Sequence, residues 1–266
     1  MKRRDFLKSS LALTTVAAVN TTPAASAADS LPGRAREFYE LRQYRLRRGA
    51  MGARFDEFFR DVAVPAWNRA GVTPVGVFDV AVGADMPAKY VLLPYASLDA
   101  MTAAQAKFAA DPAVREAAFT NLPATDPAYV RKESSLMLAF PSLPRLELPA
   151  QTATKQPRIF ELRTYESHSK AANVKKVGMF DNGEIAIFRR TGLTPVFFGE
   201  TLVGPRLPNL IYLLTFPDMA AREKSWDTFR SDLEWKNLSA TPGLTDPEIV
   251  TNISNVVLKP TAYSQI

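Results

Sequence analysis

The 266-residue sequence predicts an α+β protein built from two tandem copies of one βαββαβ unit. Two observations predict this fold class. The motif Phe38–Tyr44 recurs 121 positions later as Ile159–Tyr165, and the same offset relates Arg69–Val75 to Arg190–Val196. Within each copy the hydrophobic pattern switches between the periods of strands and helices in the same order. A register that is kept without insertions indicates a duplicated structural unit.

Each copy begins with a strand that is followed by a helix. Residues 37–44 alternate in polarity and are bounded by loops, which is typical of a strand. Apolar residues then recur at helical spacing from Phe55 to Ala66, and Gly71 is suited to end the helix. Pro65 lies late in this helix, so it is expected to kink the helix or to open a short final turn.

The second half of each copy predicts a hairpin, a helix and a closing strand. In copy one, the apolar runs Val75–Val82 and Tyr90–Tyr95 are separated by a turn segment and form the hairpin. The second helix begins at Ser97 in copy one and at Asp218 in copy two, because both are good N-cap residues. The closing strands are Ser135–Phe140 and Asn255–Leu258. The resulting order is that of a ferredoxin-like unit.

The N-terminal residues have the features of an export signal. Arg3 and Arg4, followed by Phe6 and Leu7, are typical of a twin-arginine signal, and a small-residue cleavage motif ends at Ala27. The apolar stretch between them is too short to span a bilayer. We therefore expect a periplasmic or secreted protein without a transmembrane segment in its mature form. The predicted organisation is a signal peptide at 1–27, domains at 36–140 and 158–262, and a Pro-rich extended linker at 141–157.

Composition excludes several classes of function. The chain has no Cys and one His, so thiolate metal sites, Cys nucleophiles and His clusters are ruled out, and no metal or other cofactor is predicted. The net charge is +6, but Lys2, Arg3, Arg4 and Lys8 against Asp5 place half of it in the signal. The remaining basic residues are scattered among acids, which argues against nucleic-acid binding.

The motif strands carry the candidate ligand-binding residues. Alternate side chains of a strand point to opposite faces of its sheet, and we assign the apolar set, which includes Leu41 and Leu162, to the face covered by helices. The open face then carries a glutamate, an arginine and a tyrosine in each copy. These residues are Glu40, Arg42 and Tyr44 in copy one, and Glu161, Arg163 and Tyr165 in copy two.

If the two sheets pack face to face, these polar side chains enter an enclosed space. Unpaired charges are costly there, so each glutamate should pair with the arginine two residues later or with a ligand. Three interpretations stay open: a structural ion pair, the lining of a small-molecule pocket, or a solvated surface.

The lone His168 has Arg47 at the matching position of copy one and is interpreted as a solvated loop residue rather than a haem ligand or general base.

The paired Glu-Leu-Arg-x-Tyr motif, the Gly-x-Thr-Pro-Val segments at Gly71 and Gly192, and Asp232–Trp235 resemble the NIPSNAP family over nearly the whole mature chain. The resemblance implies a dimeric α/β-barrel in which two ferredoxin-like sheets close around a cavity. It also implies relatives that include cofactor-free monooxygenases, haem proteins and small isomerases. Copy one has Val114 where the family pattern favours Trp, so we expect a working pocket in copy two.

Three functions are compatible with these features. In the first, an exported protein without established catalysis binds a small, partly apolar molecule in a barrel cavity, anchored by the motif arginine and oriented by the motif tyrosine. In the second, a cofactor-independent monooxygenase or isomerase uses the motif glutamate as a general base. The third is a structural role in an envelope assembly. The two halves are expected to form an internal pseudo-dimer or to pair with a second chain.

Overall fold

A closed eight-stranded barrel with helices on its outer surface is the central feature of the computed structural model, which describes residues 35–266. The predicted signal peptide and its cleavage site lie outside the described residues. None of the helices in the described part of the chain is long and apolar enough to cross a membrane.

The order of elements is the same in both copies. The strands are β1 (Phe38–Arg45), β2 (Gly76–Val82), β3 (Ala88–Tyr95), β4 (Arg131–Ala139), β5 (Ile159–Glu166), β6 (Thr194–Val203), β7 (Asn209–Phe216) and β8 (Asn252–Pro260). The α-helices are α1 (Ala50–Phe58), α2 (Val64–Arg69), α3 (Leu98–Ala110), α4 (Pro112–Glu116), α5 (Ala150–Thr154), α6 (Lys170–Met179), α7 (Ile185–Arg190), α8 (Met219–Ser231), α9 (Leu233–Ser239) and α10 (Asp246–Ile249). The βαββαβ prediction is confirmed.

The two repeats close one barrel. The strand order is β1-β3-β2-β8-β5-β7-β6-β4, so each repeat contributes four adjacent strands. The seams between the repeats are the antiparallel pairs β2–β8 and β4–β6. Because neither four-stranded sheet has a free edge, the halves form an internal pseudo-dimer, as the sequence predicted.

Local signals placed most helix starts correctly. The Ser97 side chain accepts a hydrogen bond from the backbone N–H of Ala100 at 3.0 Å, and Asp218 caps α8 in the same way. Pro65 stands in the first turn of α2, after a π-helical segment at Phe59–Ala63. In copy two, α6 and α7 are joined by a kink within Phe180–Glu184, where Gly183 has a non-helical backbone conformation, and α7 has no proline.

The barrel interior is apolar and is filled by strand side chains of both repeats. Tyr39 and Leu41 of β1 lie there with Phe160 and Leu162 of β5. Their neighbours along each strand point outward, beneath the helices, where Tyr44 packs with the α1 residues. The prediction that the Glu-Arg-Tyr face points into the space between the sheets is therefore wrong.

The faces were assigned wrongly because both faces of this sheet are buried. In an open sheet the more polar face is the solvated one, but closing the barrel removes water from most of the inner face, except at its open end. A narrow interior holds interdigitating apolar side chains and offers charged groups few partners. The layer under the helices supplies partners from other elements, so the charged residues lie there.

The segment that joins the repeats is attached to the barrel rather than fully extended. The backbone N–H of Glu147 donates to the carbonyl of Val196 at 2.9 Å, and Leu143 is buried. The segment also contains the short helix α5. The expectation of an extended connector therefore holds for only part of it.

Candidate functional site

In copy one, the predicted pair of Glu40 and Arg42 forms on the outer face of β1. Nε and Nη2 of Arg42 donate to the two carboxylate oxygens of Glu40 at 2.6 and 2.8 Å, and both residues are buried. This two-point geometry fixes the guanidinium plane. The Arg42 guanidinium carbon lies 5.0 Å from the centre of the Trp67 ring, which adds a cation–π contact.

The Glu40 carboxylate has three further partners from other elements. Ser134 Oγ donates to it at 2.9 Å, Tyr95 Oη at 3.1 Å and Gln105 Nε2 at 3.3 Å. Burial by itself would raise the pKa of Glu40, but the hydrogen bonds and charge of Arg42 outweigh it and lower the pKa. Glu40 is therefore an anion that holds Arg42 in place.

A cavity of about 450 Å³ adjoins Arg42 between the sheet and the helices of copy one, and we call it the helix-side cavity. Its walls are mostly aromatic. Trp67 stacks on Phe108 at 4.1 Å and Phe58 stacks on Phe119 at 4.3 Å between ring centres. The polar side chains that line it include Arg42 and Lys132. This combination of a rigid apolar wall and a few charged groups is typical of a small-molecule site.

Lys132 lies at the edge of the helix-side cavity. It is the cross-strand neighbour of Tyr44, so both side chains are on the outer face of the barrel. Lys132 remains exposed, but partial desolvation beside the cavity and the positive charge of Arg42 lower its pKa, against a smaller opposing effect of Glu40. Two cations and one carboxylate thus meet at this cavity, and an anion would relieve the imbalance.

In copy two, Glu161 occupies the position of Glu40 but is enclosed completely. Arg222 donates to it through Nη2 at 2.6 Å and Nε at 2.9 Å, and Arg163 Nη1 lies at 3.1 Å. Trp226 Nε1 at 2.7 Å and Asn255 Nδ2 at 2.9 Å complete the set of donors. Burial would raise the pKa of Glu161, but the Arg222 hydrogen bonds and the Arg163 charge lower it.

Arg163 is correspondingly covered by protein groups. Its Nη2 donates to Tyr165 Oη at 3.1 Å, and Tyr212 Oη donates to the same oxygen at 3.1 Å. Its guanidinium carbon lies 4.6 Å from the centre of the Trp226 ring. Most polar groups of the copy-two motif are thus paired with one another, with α8 or with neighbouring strands, but the buried Nε of Arg163 has no hydrogen-bond partner among residues 35–266.

A second buried ion pair lies in the same layer of copy two. Lys176 Nζ lies 3.3 Å from Glu184 Oε2 and 3.5 Å from Asp246 Oδ1, and the Lys176 side chain is 1% exposed. Burial raises the pKa of Glu184 to about 7 despite the opposing charge of Lys176. The matching residues of copy one, 121 positions earlier, are Phe55 and Ala63, so the pair is specific to copy two.

The helix-side cavity therefore adjoins copy one, whereas we expected a pocket in copy two. In copy two, Trp226 lies over the Arg163 guanidinium and Arg222 binds Glu161, whereas their counterparts in α3 are the smaller Gln105 and the uncharged Met101. The structure does not bring the two motif triads together either, because each lies beneath the helices of its own repeat.

Several residues of the site were missed by sequence reasoning. Ser134 and Asn255 lie 121 positions apart and bind the two motif glutamates, so the repeat itself carried a signal for them. Trp226 was interpreted as core; it is buried, and it also donates to Glu161. Lys132 had no local signal, since its role comes from its pairing with β1. His168 is exposed, as predicted.

Comparison with known families settles the relationship of the chain. The NIPSNAP family model matches residues 39–143 and 160–265, which is most of the sequence and includes both motif strands. The chain belongs to the NIPSNAP family. It contains two tandem NIPSNAP repeats in one barrel. Comparison with curated proteins gave no match.

Two solved structures that are similar over most of this NIPSNAP protein have the same fold. A candidate monooxygenase from Fusobacterium nucleatum is 9% identical, with 85% of this chain and 93% of that chain covered and a TM-score of 0.54. One from Lactobacillus acidophilus is also 9% identical, with 85% and 94% covered and a TM-score of 0.52. A NIPSNAP-like domain protein from Burkholderia xenovorans is 20% identical and covers 40% of this chain and 88% of its own, with a TM-score of 0.37.

Proposed function

We propose that this protein binds a carboxylate ligand with a planar, apolar ring system in the helix-side cavity of copy one. The observation that carries the proposal is the presence of Arg42 and Lys132, against the single carboxylate of Glu40, at the edge of a cavity of about 450 Å³ with aromatic walls. An anionic group would balance the local charge, and the ring system would pack on the aromatic side chains.

The Arg42 side chain is fixed in position before a ligand binds. Its Nε and Nη2 are bound to Glu40, so Nη1 takes no part in either hydrogen bond to the carboxylate. Trp67 supports the guanidinium from one side. Because the side chain is already ordered, binding costs little of its conformational entropy. Lys132 supplies a second, more mobile cation at the entrance.

General-base catalysis by the motif glutamates is less well supported. Both Glu40 and Glu161 have lowered pKa values, since arginine hydrogen bonds and charge outweigh the effect of burial. A general base works best when its pKa lies near the operating pH, and the pKa values of these two carboxylates are shifted away from neutral pH. Their geometry suits positioning of the arginines instead.

Binding of 2-naphthoate, measured by calorimetry, tests the proposal. We expect Lys132→Gln to weaken binding about 10-fold, because it removes one charged contact. Arg131→Gln is the matched control: it makes the same charge change at the adjacent residue, whose side chain lies on the other face of β4 and is 59% exposed. Equal affinities in the two variants would contradict the proposal.

Arg42→Lys tests the role of the guanidinium. Lysine keeps the positive charge beside Glu40 but loses the fixed fork, so we expect naphthoate affinity to fall about 10- to 100-fold while the fold is retained. Circular dichroism and thermal unfolding check the fold. Wild-type affinity in this variant would place the ligand elsewhere.

The pH dependence of binding follows from Lys132. The carboxylate binds the protonated amine, so binding should raise a pKa that burial and Arg42 have lowered in the free protein. Affinity should be full below the free-protein pKa of Lys132 and should fall as pH rises through it. Titrations from about pH 6 to about pH 10 should show this loss in the wild type and a flatter profile in Lys132→Gln.

We also propose that the protein is exported by the twin-arginine route. Support comes from the sequence of residues 1–27, in which Arg3 and Arg4 precede a short apolar stretch and a small-residue motif. Replacement of both arginines by lysine should abolish export of the full chain to the periplasm, as measured by cell fractionation. Unchanged export would contradict the route.

A further inference from the structure

The barrel interior opens at one end into a second cavity, separate from the helix-side cavity. It has a volume of about 390 Å³, and we call it the mouth cavity. The loops β2–β3 and β6–β7 line its entrance through Asp85 and Arg206, which lie 121 positions apart. Both repeats therefore contribute to it equally.

Both apolar and hydrogen-bonding side chains line the mouth cavity. Leu41, Leu162 and Ile211 form the apolar part. The polar side chains include Gln43 and Thr164, which occupy equivalent positions on β1 and β5, and Thr164 is the cross-strand partner of Ile211. Within residues 35–266, neither side chain makes a hydrogen bond to another residue. They are therefore free to bind a ligand.

Tyr90 adds a further hydrogen-bonding group. Its ring belongs to the interior core, its side chain lines the mouth cavity, and its hydroxyl has no protein partner in the described part of the chain. Burial raises the pKa of Tyr90 to about 12, so the hydroxyl stays protonated and can donate.

The rim of the mouth cavity is electrically balanced. Arg45 Nη2 is paired with Asp85 Oδ2 at 2.8 Å, and Arg206 lies 3.8 Å from Glu166 and donates to Ser254 Oγ at 3.2 Å. This differs from the helix-side cavity, where cations are in excess. A charged ligand would have to disrupt these pairs, whereas an uncharged one would not.

Exposed apolar side chains flank the entrance. Val82 and Met86 on one loop, and Val203 and Leu207 on the other, are each about half exposed or more. They form two equivalent apolar borders, and such exposure is typical of a surface that contacts an apolar molecule.

We infer that the mouth cavity is a second ligand site, which takes an uncharged, partly apolar molecule carrying hydroxyl or carbonyl groups. The apolar part would contact Leu41, Leu162 and Ile211, and the hydroxyl or carbonyl groups would bind Gln43 and Thr164. The site is independent of the helix-side cavity, because the two lie on opposite faces of β1.

Methyl NMR with 2-naphthol as the probe tests this inference on the folded protein. Binding in the mouth cavity should shift the Ile211 methyl signals, whereas binding in the helix-side cavity should shift those of Leu122, which lines that cavity. Shifts of Leu122 alone, or no shifts at all, would overturn the inference. The result does not depend on naphthoate binding, so the two proposals can fail separately.

Two variants define the contacts. Ala84→Trp should abolish the Ile211 shifts by filling the entrance, while Ala109→Trp on the exposed surface of α3, which does not line the cavity, should leave them unchanged. Both positions are exposed, so neither change disturbs the core.

Gln43→Leu should weaken 2-naphthol binding about 2- to 10-fold and leave naphthalene binding unchanged. Equal effects on both probes, or persistent shifts in Ala84→Trp, would contradict the site.

Discussion

Replacing Glu161 with glutamine is expected to destabilise the protein by about 3–5 kcal/mol, because it removes the buried carboxylate that lies between the partly buried Arg163 and Arg222. Glu161 is fully buried and accepts hydrogen bonds from Arg163 and Arg222. Glutamine also presents an N–H₂ group where the carboxylate accepted donors, so at least one hydrogen bond is replaced by a repulsive contact. Urea denaturation at neutral pH measures the loss.

Glu223→Gln is the matched control for this variant. Glu223 is paired with the same Arg222 but is 59% exposed, so its removal should change the free energy of unfolding by less than about 1 kcal/mol. If both variants lose similar free energies of unfolding, the burial of Glu161 does not increase the contribution of its ion pair to stability.

The difference between the wild type and Glu161→Gln should also depend on pH. The folded-state pKa of Glu161 is lowered, so its ionised form stabilises the protein above the unfolded-state pKa. That contribution is lost as pH falls through the lowered pKa. The gap in stability should therefore begin to narrow as pH falls below the ordinary glutamate pKa of about 4.3, where the unfolded chain takes up a proton that the folded protein still excludes. A constant gap would contradict the ionised state assigned to Glu161.

Replacing Lys176 with methionine should destabilise the protein by about 3–5 kcal/mol at pH values above neutrality, because the buried Glu184 must then either stay charged without its main partner or hold a proton that the unfolded chain releases. Both side chains are almost completely buried. Burial already raises the pKa of Glu184 to about 7, and loss of the ammonium should raise it further. The destabilisation should thus diminish at about pH 5, where Glu184 is protonated. Denaturation at the two pH values checks this.

The repeat itself supplies the compensating change. Copy one has Phe55 and Ala63 at the positions of Lys176 and Glu184, so the double variant Lys176→Phe/Glu184→Ala transplants a pair that packs in the same layer. We expect it to recover most of the stability lost in Lys176→Met, since it removes the charge and its partner together. If the double variant is as unstable as Lys176→Met, the loss of stability does not come from the uncompensated charge of Glu184.

The duplication allowed much of the fold to be predicted. The bounds of β5 lie 121 positions after those of β1, and α8 lies 121 positions after α3. Strand and helix periods, and caps such as Ser97 and Asp218, depend on residues near in sequence. The pairing of Glu40 with Arg42 was also predicted, because two residues of one strand face are always neighbours.

The candidate site was predicted only in part, because its partners come from distant elements. Arg222 and Trp226 reach Glu161 from a helix about sixty positions away, and their contact depends on how α8 packs on the sheet. Lys132 reaches the helix-side cavity through the pairing of β4 with β1. No short-range pattern distinguishes these residues from ordinary surface or core positions.

The sequence by itself determined that the chain contains two βαββαβ units, where the helices α3 and α8 begin, and which acid and base pair on each motif strand. These features depend on local periodicity and on residue spacing that the duplication repeats. Only the tertiary structure decided which sheet face carries the charged residues and which repeat keeps a cavity beside them. Barrel closure buries both faces, so polarity alone does not indicate the inner one, and the cavity depends on the size of side chains that meet only after folding.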